Sequence, residues 1–340
     1  MWGKVGRARG VSAPALNGRS PSGAVLITLA ASAIFISAWI IFLGSPDRSS
    51  ERRISSLALS RSGTWLAAGT PQGMITVWEQ GSGSAPRHIA FSRGSLNDLE
   101  FSPDERLLAI ASRDLGLYDL GGSAAPRLLR SDGRNYGTSR FSEDGETILV
   151  ITGTGAIETL DTRSGAARLN ICCSTIYGEV TFTPNGRSIA NAGHWPSLWD
   201  SRSGQLVARL TKDREVYTFR PIAFDQALDA IFMGSQDGRV YAWNLTTRQK
   251  LAVSPPLSDY VDSIAVSRDG WVAYAAFGKV ARLWHPQTGQ QRGLSGSRPT
   301  SNLVAGPDGT SIIFGTADGE IEFWDVPHGQ RLRAMKVPER

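Results

Sequence analysis

Gly315-Thr-Ala-Asp-Gly-Glu-Ile-Glu-Phe-Trp-Asp325 decides the fold, because looser copies of it recur upstream at a near-constant interval. Its Trp-Asp ending has counterparts at Trp78-Glu79, Tyr118-Asp119, Leu160-Asp161, Trp199-Asp200, Trp243-Asn244 and Trp284-His285. The steps along these seven slots are 40, 42, 39, 44, 41 and 40 residues. A fixed period in this range marks one supersecondary unit copied along the chain, each copy burying its apolar faces against its neighbours.

A second mark keeps phase with the first. Leu59-Ser-Arg-Ser-Gly63, Phe101-Ser-Pro-Asp-Glu105, Phe141-Ser-Glu-Asp-Gly145, Phe182-Thr-Pro-Asn-Gly186, Phe224-Asp-Gln-Ala227, Val266-Ser-Arg-Asp-Gly270 and Gly306-Pro-Asp-Gly309 each begin 17 to 19 residues before a slot. Pro presets φ, and Asp or Gly tolerates positive φ, so these read as tight turns. Short apolar runs follow them, such as Trp65-Leu-Ala-Ala68, Thr147-Ile-Leu-Val150 and Ser311-Ile-Ile-Phe314. An alternating run then ends at the slot, as in Met74-Ile-Thr-Val-Trp78. Each unit therefore reads as three strands joined by turns, with a fourth leading into the next unit.

These repeats resemble WD40 repeats over about Ile54 to Val337. Seven of them imply an all-β fold, a seven-bladed β-propeller of four-stranded antiparallel blades. On that resemblance, Trp78, Tyr118, Trp199, Trp243, Trp284 and Trp324 are structural slots, and Asp114, Asp237 and Asp318 match the family's turn aspartate. The family's Gly-His pair is absent from every repeat, so its buried Asp-His-Ser/Thr-Trp network is incomplete and apolar packing should carry the ring. Repeat three, with Leu160 in the aromatic slot, is the least typical. Gln330-Arg-Leu-Arg-Ala-Met-Lys-Val337 reads as the fourth strand of the last blade, so the ring should close without an N-terminal strand.

Residues 24–43, AVLITLAASAIFISAWIIFL, carry no charge. Twenty such residues suffice for a helix across a hydrocarbon core of about 30 Å. A cleaved signal peptide would have a shorter apolar core and small residues at its end. The expected organisation is a short basic tail (1–23), a transmembrane signal anchor (24–44), a linker (45–53) and the propeller (54–340). Lys4, Arg7, Arg9 and Arg19 precede the span with no acid, which favours a cytoplasmic N-terminus and an extracytoplasmic propeller. The chain carries a net charge of +5. The tail holds four of the excess positive charges, so the ring itself is nearly neutral and offers no global attraction for nucleic acid.

His88, His194, His285 and His328 fall in different repeats without metal-ligand spacing, and HExxH, GxSxG and P-loop motifs are absent. Gly153-Thr-Gly155 reads as a hairpin turn rather than part of a dinucleotide site. The sequence thus points to no catalytic residue, metal or cofactor. Cys172-Cys173 read as two reduced strand residues or as a strained vicinal disulfide. The resemblance implies partner binding on the ring face formed by the loops leading into each first strand and by the second turns. There the channel-mouth position holds Ser55, Asn97, Gly137, Gly178, Arg220, Asp262 and Asn302. Asn97, Arg220, Asp262 and Asn302 are the polar candidates, with Trp195 and Tyr260 as aromatic anchors. Tyr136 and Tyr177 are expected in buried apolar positions. The expected function is a membrane-anchored protein-interaction scaffold that meets the bilayer through residues 24–44 and binds other proteins in a membrane-associated complex. A small-molecule-sensing or quinoprotein-like redox propeller is the alternative.

Overall fold

The computed structural model describes residues 52–91, 95–122, 125–171, 178–211, 219–225 and 227–338. The expected span, its basic tail, most of the linker, Cys172, Cys173 and Tyr177 lie outside the described residues. Among the described residues no helix is long and apolar enough to cross a membrane.

The repeats become seven four-stranded sheets, each with its strands hydrogen-bonded in sequence order and antiparallel. The blades span residues 56–90, 98–130, 136–171, 180–209, 219–253, 263–293 and 304–336. One register runs through all of them. The slot residue of the third strand always faces an aliphatic residue of the second: Leu66↔Trp78, Leu108↔Tyr118, Ile148↔Leu160, Ile189↔Trp199, Ile231↔Trp243, Val272↔Trp284 and Ile312↔Trp324. Leu160 keeps that position and is fully buried, so an aliphatic side chain satisfies a slot that elsewhere takes an aromatic. A period-two strand fixes the facing of every other side chain once one pair is set, which is why a degenerate repeat still folds in register.

The turn chemistry is also realised. The hydroxyl of Ser60, Ser102, Ser142 or Thr183 accepts the backbone N–H of Trp65, Leu107, Thr147 or Ser188 across the first turn. Gly63, Gly145, Gly186, Gly270 and Gly309 close these turns at positive φ. Blade two places Glu105 there instead, at φ 57°.

The apolar core is divided among seven clusters, one at each seam between neighbouring blades. At the first seam Ile75, Val77 and Ile89 of blade one meet Leu99, Leu108 and Tyr118 of blade two. No blade therefore owns a core. Trp199 and Trp324 bond outside the family's network. The Trp199 indole N–H donates to Asn191 Oδ1 and that of Trp324 to Glu322 Oε2, each at 2.7 Å.

Blade seven supplies all four of its own strands, the last being Gln330–Lys336. The ring therefore closes without a shared strand, mainly through side chains. Asn302 Oδ1 accepts the Leu57 N–H at 2.8 Å and its Nδ2 donates to the Leu57 carbonyl at 2.7 Å. Thr300 Oγ1 donates to the Ile54 carbonyl, and the Ile54 N–H to the Thr316 carbonyl. Ile54 is fully buried against Gly315, where an added Cβ would stand 2.4 Å from its side chain. Gly315→Val should therefore cost about 1–3 kcal/mol through overpacking, and Asn302→Ala a similar amount by orphaning the Leu57 groups. Urea unfolding of the two variants, with Leu332→Ala on the outer rim as a near-neutral reference, reads this directly; equal stabilities would remove the closing role of the seam.

Candidate functional site

Each first strand runs down the inside of the ring from what is here termed the top face, which also carries the turns between second and third strands. That inner edge has no neighbouring strand, so its backbone N–H groups need other acceptors. Side chains from the preceding blade supply them. Asp98 Oδ2 accepts the Ser139 N–H, Glu100 Oε2 the Phe141 N–H, and Glu179 Oε2 the Ile222 N–H, each at 2.9 Å. Ser263 Oγ accepts from Leu303 at 2.5 Å, and Asn302 from Leu57.

The carboxylates converge on one guanidinium. Arg140, in the strand Tyr136–Phe141, donates to Asp98 at 2.5 Å and also to Glu179. They line a channel-side cavity of about 420 Å³ together with Leu57, Leu59 and Asn302, with Glu179 reaching Arg140 from the next blade. Burial alone would lower the Arg140 pKa, but Asp98, Glu179 and Glu100 outweigh it and raise it. Burial pushes the Glu100 carboxyl up to about 8, with Arg140 pulling the other way and Asp98 adding to the rise. Glu179 is raised as well, again chiefly by burial. One cation among three carboxylates, Asp98 buried and Glu100 and Glu179 half-buried, leaves excess negative charge, and protonating Glu100 relieves it.

The channel-mouth candidates divide by role. Asn97 Nδ2 donates to the Tyr136 carbonyl at 2.8 Å and to Asn135 Oδ1 at 3.0 Å, which ties blade two to blade three. Asn302 ties blade seven to blade one. Arg220, Tyr260 and Asp262 instead come together on the top face. The exposed Arg220 guanidinium lies 5.5 Å from the Tyr260 ring centroid, and Tyr260 is itself exposed. Burial raises the Asp262 carboxyl to about 7, against the Phe277 backbone N–H and the Arg220 charge. Trp195 stands apart in blade four, half-buried in the turn before Ser197–Asp200, with the Arg209 guanidinium 4.7 Å over its ring. Asp237 and Asp318 serve turns: Asp237 accepts from the Tyr241 hydroxyl, and Asp318 from the Thr316 hydroxyl. Asp114 closes its turn through its backbone to Ser112. Tyr136 is fully buried, its hydroxyl bonded to Asp132. Among the described residues no three His, Cys, Asp or Glu side chains converge as metal ligands do.

The charge cluster is what sequence reasoning missed. Its signal lay one residue beyond the mouth position, where Asp98, Glu179 and Ser263 occupy equivalent places in their repeats. A polar residue at that phase, in a strand otherwise alternating toward apolar neighbours, marks a blade-to-blade acceptor.

Comparison with known proteins agrees with this architecture. The family model described as WD domain, G-beta repeat matches residues 44–79. The chain is a seven-bladed propeller of four-stranded blades, and its first repeat matches that family model. It is 23% identical over 287 residues to the Protein LST8 homolog of Drosophila pseudoobscura pseudoobscura, covering 80% of this chain and 78% of that protein. It is 22% identical over 188 residues to the Target of rapamycin complex subunit wat1 of Schizosaccharomyces pombe, covering 54% of this chain and 60% of that one. A chain in the crystal structure of the Mitotic Checkpoint Complex superposes with a TM-score of 0.69 at 16% identity, covering 80% of this chain and 87% of that chain, and so shares the fold.

The Glu100 carboxyl titrates near 8 in the folded ring and near 4.5 in an unfolded chain. Its folded value is raised, so the proton it holds stabilises the ring fully below about 4.5, and that contribution is lost as pH rises toward 8. Glu100→Gln keeps an acceptor for Phe141 and removes the titration. The wild-type melting temperature should fall relative to Glu100→Gln between pH 5 and pH 8 and then run parallel to it; parallel curves throughout would exclude the burial penalty. Arg140→Met should cost about 3–5 kcal/mol at neutral pH, because it strands buried carboxylates without their partner.

Proposed function

We propose that the protein is a non-enzymatic scaffold, anchored in a membrane through residues 24–44, which binds other proteins on the top face of its ring. The observation that carries this reading is the Arg220–Tyr260–Asp262 group. It sets an exposed aromatic beside a guanidinium and a carboxylate, on loops held by a closed ring. Tyr and Arg dominate the energetics of protein interfaces because they bury large area with few rotors and keep a polar tip. A ring whose seven seams are all packed presents such loops at little entropic cost. The similarity to proteins named as target of rapamycin complex subunits supports a role inside an assembly. The uncharged run at 24–43 and the basic tail before it support an anchor with its N-terminus in the cytoplasm and the ring outside it.

The test is capture of the full-length chain from detergent-solubilised native membranes. A protein recovered in stoichiometric amount should be lost from Tyr260→Ala and Arg220→Glu, with each hot-spot change weakening binding by tenfold or more, about 2 kcal/mol. Thr288→Ala, on the opposite face, should leave recovery unchanged. Equal recovery with all three variants would remove this surface from the reading, and turnover of a bound small molecule would replace scaffolding by chemistry. Protease added to spheroplasts should digest the ring; protection until lysis would reverse the proposed topology.

A further inference from the structure

Nine large apolar side chains are exposed among the described residues, and their placement is not random. Six of them, such as Leu128 and Leu332, lie on outermost strands. The other three, Tyr260, Phe277 and Val280, all lie on the top face at blade six. Phe277 and Val280 form the tip of the turn between Val272–Ala275 and Arg282–Trp284 and are 45% and 42% exposed. This tip is continuous with the path of the chain into the ring. The Gly278 N–H donates to the Pro299 carbonyl at 2.8 Å, and Pro299 bridges to Thr316 in blade seven. The Thr316 carbonyl accepts the Ile54 N–H, and Arg52 packs on Gly319. The Arg53 guanidinium lies 5.2 Å from the Phe277 ring centroid. Exposed Arg52, Lys279 and Arg298 complete the surround, against Asp318 within the patch and Asp259 at its edge.

We infer that this sector of the top face, Phe277 and Val280 with Arg52, Arg53, Lys279 and Arg298, docks on the headgroup layer of an anionic phospholipid bilayer. An aromatic and an aliphatic tip ringed by cations is the chemistry of an interfacial contact, where apolar atoms enter the acyl boundary and Lys or Arg meets phosphate. The tether supports the same occupant, and here the inference rests on the anchored reading. Seven residues separate Gly44, the end of the expected span, from Arg52. Fully extended they reach roughly 25 Å, and they join the ring in this sector. Docking here sets the opposite face away from the lipid and brings the Arg220–Tyr260–Asp262 group alongside it, so a protein bound there is met close to the bilayer surface.

The experiment places a photo-crosslinking amino acid at Phe277, at Val280 or, as the control on the opposite face of the same blade, at Thr288. The full-length protein is reconstituted in vesicles of phosphatidylglycerol and phosphatidylethanolamine, or of phosphatidylcholine alone. Phospholipid adducts are expected at Phe277 and Val280 and not at Thr288. Lys279→Gln and Arg298→Gln should each weaken contact with the anionic vesicles about fivefold and leave contact with phosphatidylcholine unchanged. Equal lipid adducts at all three sites, or adducts to a co-purifying protein in native membranes in place of lipid at Phe277 and Val280, would overturn the proposal. Alkaline carbonate extraction reports on the anchor separately. An extractable chain that still yields lipid adducts at Phe277 and Val280 keeps the docking surface and loses the span. A retained chain without those adducts keeps the span and loses the docking surface.

Discussion

Asn302 grips both backbone polar groups of Leu57, and that seam is where a linear array becomes a ring. Blades two to seven each meet the preceding blade through an intervening loop, but blades seven and one are not adjacent in sequence. Their contact is made chiefly by side chains, the Asn302 clamp, the Thr300 bond to Ile54 and Ile54 seated on Gly315, with one backbone bond from Ile54 to Thr316. An open array would leave two apolar blade faces in water, since each of the seven cores is shared between neighbours. Closure at one amide and one isoleucine thereby protects the burial of all the others.

Inside the ring, the innermost strands face a channel and have no strand to bond with on that edge. The answer is periodic: each acceptor reaches forward to a backbone N–H of the next blade, and the acceptor may be a carboxylate, a hydroxyl or an amide. Carboxylates are costly in such a place, and Arg140 offsets that cost by pairing with Asp98 and Glu179 at once. Burial holds the Glu100 proton well up the pH scale; Arg140 pulls against that rise and the Asp98 charge adds to it. Apolar packing and charge thus divide the work, the first giving the seams their bulk and the second their alignment.

The architecture was legible because it is periodic. The Trp-Asp slots, the Ser-Pro-Asp-Gly turns and the last strand at Gln330–Lys336 all depend on local chemistry repeated in phase, and register followed from them. The latches were not legible, because Asp98 and Arg140 are partners across 42 residues and nothing local marks a carboxylate as facing the channel rather than solvent. Asn97 and Asn302 show the converse. Their phase in the repeat was readable, but which backbone groups of the next blade their amides would meet depends on the packing angle between blades. Tyr260 and Arg220 were singled out separately from sequence, and their stacking emerges only when the start of blade five and the loop into blade six are brought together by the ring.

The chemistry of the latches is uneven around the circle. At the seams from blade two to three and from blade four to five the acceptors are carboxylates around Arg140, whereas those from six to seven and from seven to one use Ser263 and Asn302, which carry no charge. Ionic strength and proton concentration act on charged pairs and hardly at all on neutral hydrogen bonds. The seams around Arg140 therefore loosen or tighten with pH, while the Ser263 and Asn302 bonds that complete the circle have no charge of their own to lose.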